Sequence, residues 1–159
     1  MSVASAELSG ETSKAVQAIV AAGLLAGVMD ITAAFVNSWR FGVKPQRVLQ
    51  AIASGLLGPS SYQGGLKTAT LGLFLHFVIA FGAATAYFIA SRKLTFLTNR
   101  AIIYGALYGI AVHLFMSFLV LPLSAFRKAP FSLSAFLTGM VIHIFCVGLP
   151  ISLMIRRFR

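Results

Sequence analysis

The chain has 159 residues, of which 58% are hydrophobic and 10% are charged, and its mean hydropathy is +0.90. Its length suggests one domain, but this composition excludes a water-soluble globular core and is typical of a protein embedded in a membrane. The net charge of +10 could suit nucleic acid, yet most of the basic residues flank the ends of apolar runs. Basic residues in such positions meet anionic lipid headgroups. We therefore expect the lipid bilayer as a partner, and no nucleic acid.

Four apolar runs are long enough to cross the bilayer, and they cover about residues 15–36, 69–90, 101–123 and 133–155. A helix of about 20 residues spans the hydrocarbon core, and runs of this length are far too long for barrel strands. Three of the runs are uncharged, and the first is interrupted only by Asp30. The sequence therefore predicts an all-α integral membrane four-helix bundle that forms a single domain over residues 1–159.

The connection between the first two spans contains a further helical pattern at 45–57. Pro45 suits the first turn of a helix, apolar residues recur at helical spacing from Val48 to Leu57, and Gly58-Pro59 ends the pattern. A helix of about 13 residues is too short to span the membrane. The pattern therefore predicts a short amphipathic or re-entrant helix at the interface.

An even number of spans places both termini on the same side of the membrane. Seven basic residues lie on that side, close to the span ends, and six lie on the side of the longer connections. The positive-inside rule then favours cytoplasmic termini, and residues 45–57 would lie on the opposite surface.

One short motif recurs in the middle of three spans: a glycine followed, four residues later, by a histidine. The pairs are Gly72 and His76, Gly109 and His113, and Gly139 and His143. These are the only three histidines of the chain, and Asp30 is the only acidic residue beyond Glu11. With a helical rise of 1.5 Å per residue, all four ionisable groups fall in one layer near the middle of the bilayer. Ionisable groups at that depth are costly and indicate a functional site.

On each span, small residues lie on the same helical face as the ionisable group. Because small residues mark where membrane helices approach one another, we expect these groups to point into the bundle. A glycine one turn before a histidine would leave room for the imidazole or for something bound to it. We expect the site to be lined by residues on these stripes, namely Gly27, Gly72, Gly109, Gly139, Asn37 and Ser117.

Three imidazoles and one carboxylate suit a transition-metal ion such as zinc, iron or copper, and Asp30, His76, His113 and His143 are the predicted ligands. Two of the histidines could instead be the axial ligands of haem b. The same residues would also suit a small transporter or a proton pathway, or they could fix helix register in an accessory subunit of a membrane complex. The subunit reading implies a membrane-protein partner, and a homo-oligomer is a further alternative.

Enzymatic function is not favoured by the sequence. Asp30 has no second carboxylate to share acid and base chemistry, and no nucleophile elbow, P-loop or dinucleotide fingerprint is present. The single cysteine, Cys146, excludes an intrachain disulfide and is predicted to be a small packing residue within the fourth span.

Several segments carry a resemblance to a known family. They are the stretch 44–58, the Gly72 to His76 helix after it, Leu121-Pro122-Leu123-Ser124 and Val147-Gly148-Leu149-Pro150. In these segments, within residues 20–156, the chain resembles a functionally uncharacterised family of small four-span bacterial inner-membrane proteins. The resemblance implies four spans in the bacterial cytoplasmic membrane, and it supplies no activity, cofactor or catalytic residue.

Overall fold

The computed structural model describes residues 3–127 and 130–158, and for residues 3–11 it describes the backbone alone. Within these ranges the chain forms helices and no strand. The helices are α1 (Val3–Trp39), α2 (Pro45–Leu57), α3 (Gly65–Lys93), α4 (Phe96–Asn99), α5 (Ala101–Leu123) and α6 (Leu133–Arg157). Four of them, α1, α3, α5 and α6, are long and apolar enough to cross a membrane. The predicted all-α four-helix bundle is confirmed.

Most of the spans extend beyond their predicted bounds. The second was predicted over 69–90, whereas α3 begins at Gly65 and ends at Lys93. The difference arises because charged residues at a span end, such as Lys67 and Arg92, leave the apolar run but remain in the helix. A hydropathy pattern marks the hydrocarbon-soluble part of a helix, and the backbone hydrogen bonds continue past it.

The short helix α2 begins at Pro45 and ends at Leu57, as the sequence predicts. Gly58 follows with a φ of +63°, which a glycine adopts without strain, and a 3₁₀ segment over Gly58–Gln63 leads into α3. The buried Gln50 amide donates to the Gly65 carbonyl over 3.0 Å. Because Gly72 has no side chain, the backbone of α2 at Leu49 lies directly against α3. These contacts hold α2 along the first turns of the second span.

The four spans pack in the order α3, α1, α6, α5. The two outer members meet at Tyr108, whose hydroxyl donates to the Ala83 carbonyl over 2.7 Å and whose ring lies edge-on to Tyr87 at 4.9 Å. Glycines bring α5 and α6 into backbone contact, with Gly105 and Gly109 facing the chain around Gly148. Small residues at such crossings allow the close van der Waals packing that drives helix association in lipid.

The tightly packed core occupies the half of the bundle nearer to the chain termini. Its buried members come from α1, α3 and α6, and they are Ala22, Ala26, Ala84, Tyr87, Val147, Ile151 and Ile155. The Tyr87 hydroxyl donates to the Leu97 carbonyl over 2.9 Å, which connects this core to the α4 turn. The opposite half of the bundle is packed less closely, and the candidate site lies there.

Two π-helical segments interrupt the α-helical hydrogen bonding, at Met116–Val120 in α5 and at His143–Gly148 in α6. Each is followed by a leucine and then a proline, Pro122 or Pro150. A proline within a helix cannot donate to the carbonyl one turn before it, and it crowds that carbonyl. Local π adjustments relieve this conflict in membrane helices. Both segments also lie beside a histidine of the predicted layer.

Candidate functional site

A cavity of about 550 Å³ lies between the four spans, and α2 covers the end of it that is opposite the core. Its wall is mostly apolar. The polar side chains that line it are Asp30, His76, His113, Ser117, Ser124 and His143. The structure thus brings the four ionisable residues of the predicted layer to one cavity, together with the predicted lining residue Ser117.

The packing order and the exposure of the lining residues indicate that the cavity opens sideways between α3 and α5. These helices stand at the two ends of the packing order, so no other span fills the space between them. Val78 and Ile79 on α3 line the cavity and are 50% and 40% exposed, and Leu56 of α2 is 63% exposed at its rim. In a membrane this opening faces the acyl chains, because the surrounding surface is made of apolar span residues.

His76 is fixed by the neighbouring helix. Its Nε2–H donates to the carbonyl oxygen of Gly27 on α1 over 2.9 Å, and its ring meets Phe77 edge-on at 5.4 Å. This hydrogen bond takes one ring nitrogen out of the cavity. It also places the imidazole about one helical turn from Asp30 along α1.

His113 and His143 form a pair across the contact of α5 and α6. Their ring centroids are 4.9 Å apart, with an angle of 59° between the planes. His143 Nδ1–H donates to the Gly139 carbonyl one turn earlier, over 2.8 Å, and in a neutral ring this leaves the lone pair on Nε2. The His113 side chain is only 7% exposed, and its buried Nε2 has no hydrogen-bond partner among the described residues. Buried polar atoms are normally paired, so this nitrogen is an unsatisfied group within the packed contact of α5 and α6.

Asp30 is half-buried on α1 and lines the cavity. Over the described part of the chain its carboxylate forms no hydrogen bond and no ion pair with another side chain. His76 and His143 use their hydrogen bonds on backbone carbonyls, and no lysine or arginine of the described ranges lines the cavity. Among the described residues of this wall, the carboxylate is therefore the one group whose charge calls for a counter-charge.

The predicted four-ligand metal site is not formed by the described residues, in which no three His, Cys, Asp or Glu side chains are placed to hold one metal ion. His76 is held at the Gly27 carbonyl of α1, whereas His113 and His143 are in ring contact with each other. The separation within that pair is also shorter than haem requires. Imidazoles on opposite faces of an iron atom, with bonds of about 2 Å, would have centroids about 6 Å apart.

The predicted lining glycines lie at helix contacts rather than on the cavity wall. A side chain at Gly72 would strike the Leu49 carbonyl, and one at Gly109 would come within 2.6 Å of the His143 carbonyl oxygen. Gly27 faces Phe77 in the same way, at 2.6 Å. Gly139 does leave room for an imidazole, but that imidazole belongs to His113 on the other helix, 2.7 Å from the position of a Cβ atom. The idea that each glycine clears space for its own histidine was therefore wrong.

Two further predicted residues have different surroundings. Asn37 lies at the end of α1, where its side-chain oxygen accepts from Arg40 over 2.9 Å, and it is not part of the cavity wall. Cys146 is a free, half-buried thiol within the π segment of α6.

Sequence reasoning missed the contribution of α2 to the site. Val48, Ala51, Ile52, Gly55 and Leu56 all line the cavity. The signal for this contribution was present, because the apolar spacing in 45–57 requires a partner or lipid for that face. The pattern alone does not say which of the two the face meets.

Comparisons with known proteins identify no relative: no family model, no curated protein and no solved structure matches this chain.

Proposed function

We propose that this protein binds a small, mainly apolar molecule in the cavity between its four spans, and that the molecule enters from the bilayer between α3 and α5. The observation that carries the proposal is the cavity itself, whose apolar wall carries a few convergent polar groups. Cavities of this size and composition between the helices of a bundle are typical small-molecule sites. Binding is the step that a transporter and a carrier of membrane-dissolved molecules have in common. The membrane is the bacterial cytoplasmic membrane, as the family resemblance implies.

Filling the cavity should abolish binding. We expect an apolar aryl diazirine, photolysed in proteoliposomes, to label cavity residues of α3 and α5 in a saturable way, with unlabelled probe as the competitor. Ala34→Phe should remove this labelling, because Ala34 lines the cavity and a phenyl ring would occupy it. Peptide mass spectrometry measures the label at each position.

The matched control is Ala111→Phe, the same substitution at an exposed position of α5 outside the cavity wall. It should leave the saturable labelling intact. Labelling of cavity residues that never saturates would mean that the probe simply partitions into lipid, and it would contradict the proposal.

A second candidate is a transition-metal ion bound by His113 and His143 alone. The centroid separation of 4.9 Å is close to the roughly 5 Å of two imidazoles on one tetrahedral ion. The hydrogen bond from His143 Nδ1 to a backbone carbonyl is also the usual support of an imidazole that binds metal through its other nitrogen. The ligand set would then be completed from outside the described residues.

Metal content distinguishes the two candidates. For a small-molecule site we expect purified protein, prepared without chelators, to contain no stoichiometric zinc, iron or copper, and to show no haem absorption. Elemental analysis and a visible spectrum of one preparation measure both quantities. One ion per chain, lost on both His113→Ala and His143→Ala but retained on His76→Ala, would favour the second candidate instead.

A further inference from the structure

The charges around the cavity indicate the chemical class of its ligand. Among the residues that the structure describes, which leave out Lys128, the cavity wall contains one carboxylate, Asp30, and no lysine or arginine. The basic side chains lie near the span ends or in the connections instead, and the one nearest to Asp30 in sequence is Arg40, which follows α1 and donates to Asn37. Asp30 is therefore the only described lining side chain that needs a permanent charge partner, because no lysine or arginine accompanies it there.

An unpaired carboxylate in such surroundings is unfavourable. Burying a charge away from water costs several kcal/mol unless it is paired or takes up a proton. The histidines do not provide the pairing, because His76 and His143 donate to backbone carbonyls of Gly27 and Gly139. A cation bound in the cavity would compensate the charge directly.

The rest of the wall decides which kind of cation fits. Inorganic cations such as Mg²⁺ and Ca²⁺ need about six oxygen ligands, whereas the cavity offers one carboxylate and the hydroxyls of Ser117 and Ser124. Most of the wall is apolar, from Val48 on α2 to Val147 on α6. Phe126 also faces the cavity, and aromatic rings attract organic cations.

We infer that the ligand is a lipophilic organic cation, with its positive charge at Asp30 and its apolar body against α2, α3 and α5. The inference depends on the proposed function and specifies the substrate class of the same cavity. His113 also lines the cavity, but its Nε2 is buried within the contact of α5 and α6. A protonated amine could donate a hydrogen bond to the carboxylate, whereas a quaternary cation would pair with it by charge alone.

The test compares two ions of the same shape and opposite charge, tetraphenylphosphonium and tetraphenylborate. We expect purified protein in mild detergent to bind radiolabelled tetraphenylphosphonium saturably and to exclude tetraphenylborate. Asp30→Asn should weaken phosphonium binding by about 30-fold or more, as expected for the loss of a desolvated charge partner. Asp30→Glu should retain much of the affinity because it keeps the charge. Ala111→Phe serves as the control that alters an exposed face only.

The outcomes separate this inference from the proposed function. Equal binding of the two ions, or phosphonium binding unaffected by Asp30→Asn, would overturn the cation inference while the cavity remained a binding site. The inference would fail in the same way if diazirine labelling saturated but phosphonium did not compete with it. If diazirine labelling did not saturate and neither ion bound, both proposals would be wrong, and lipid or a second copy of the chain would be the occupant of the opening.

Discussion

Replacing Gly109 with leucine is expected to destabilise the protein by about 3 kcal/mol, near the upper end of the cost of overpacking. A Cβ atom at Gly109 would lie 2.6 Å from the His143 carbonyl oxygen and 2.6 Å from the Ile144 Cα atom. Both are backbone atoms of α6, which cannot rotate away as a side chain can. The two helices would have to separate along their whole crossing, because Gly105 and Gly148 are in contact there as well.

Unfolding in mixed detergent micelles, followed by far-ultraviolet circular dichroism, measures this effect. The control is Gly82→Leu, because among the described residues no atom beyond the adjoining turns of α3 lies within 4 Å of a Cβ atom at that position. We expect the control to cost little, since leucine also favours a helix more than glycine does. Similar losses in the two variants would show that α5 and α6 do not cross at Gly109.

Gly72→Leu is expected to detach α2 from α3 and to open the end of the cavity. A side chain at Gly72 would collide with the Leu49 carbonyl, which belongs to the backbone of α2. The helix α2 packs mainly on α3 and on the 3₁₀ segment that connects the two helices, and it contributes little to the contacts between spans. The four spans should therefore remain assembled. Backbone amides of residues 45–57 should therefore exchange faster, and saturable diazirine labelling should be lost.

Hydrogen exchange followed by mass spectrometry measures the first effect, with Gly82→Leu in the same helix as the matched control. Unchanged exchange over residues 45–57 in Gly72→Leu would contradict the packing of α2 on α3. If exchange increased while labelling still saturated, α2 would not be a necessary wall of the site.

The sequence predicts the helices well because their signals are local. Uninterrupted apolar runs determine the spans, and Pro45 and Gly58 mark the limits of α2 through their own backbone preferences. The common layer of Asp30, His76, His113 and His143 also follows from local information, because the helical rise converts position in a span into depth. All four residues indeed line one cavity.

Contacts between helices were less predictable, since they depend on the packing order of the spans. The glycine pattern correctly indicated close crossings, but it could not tell whether Gly139 faces His143 or, as the structure has it, His113. A spacing of 3.6 residues per turn also gives the wrong helical face for residues beyond the π segments. The extra residue in each π turn rotates every later side chain about the helix axis. Pro122 and Pro150 are the local signs of these shifts.

The lateral opening between α3 and α5 changes the reference state for binding. A molecule that arrives through this opening leaves acyl chains rather than water, so the apolar wall gives it little that the bilayer does not already provide. For any apolar molecule, the free energy gained from dispersion contacts with the wall nearly equals the free energy lost when its contacts with lipid are given up. Discrimination between membrane-dissolved molecules then falls to the few polar groups at the cavity, and above all to the carboxylate of Asp30.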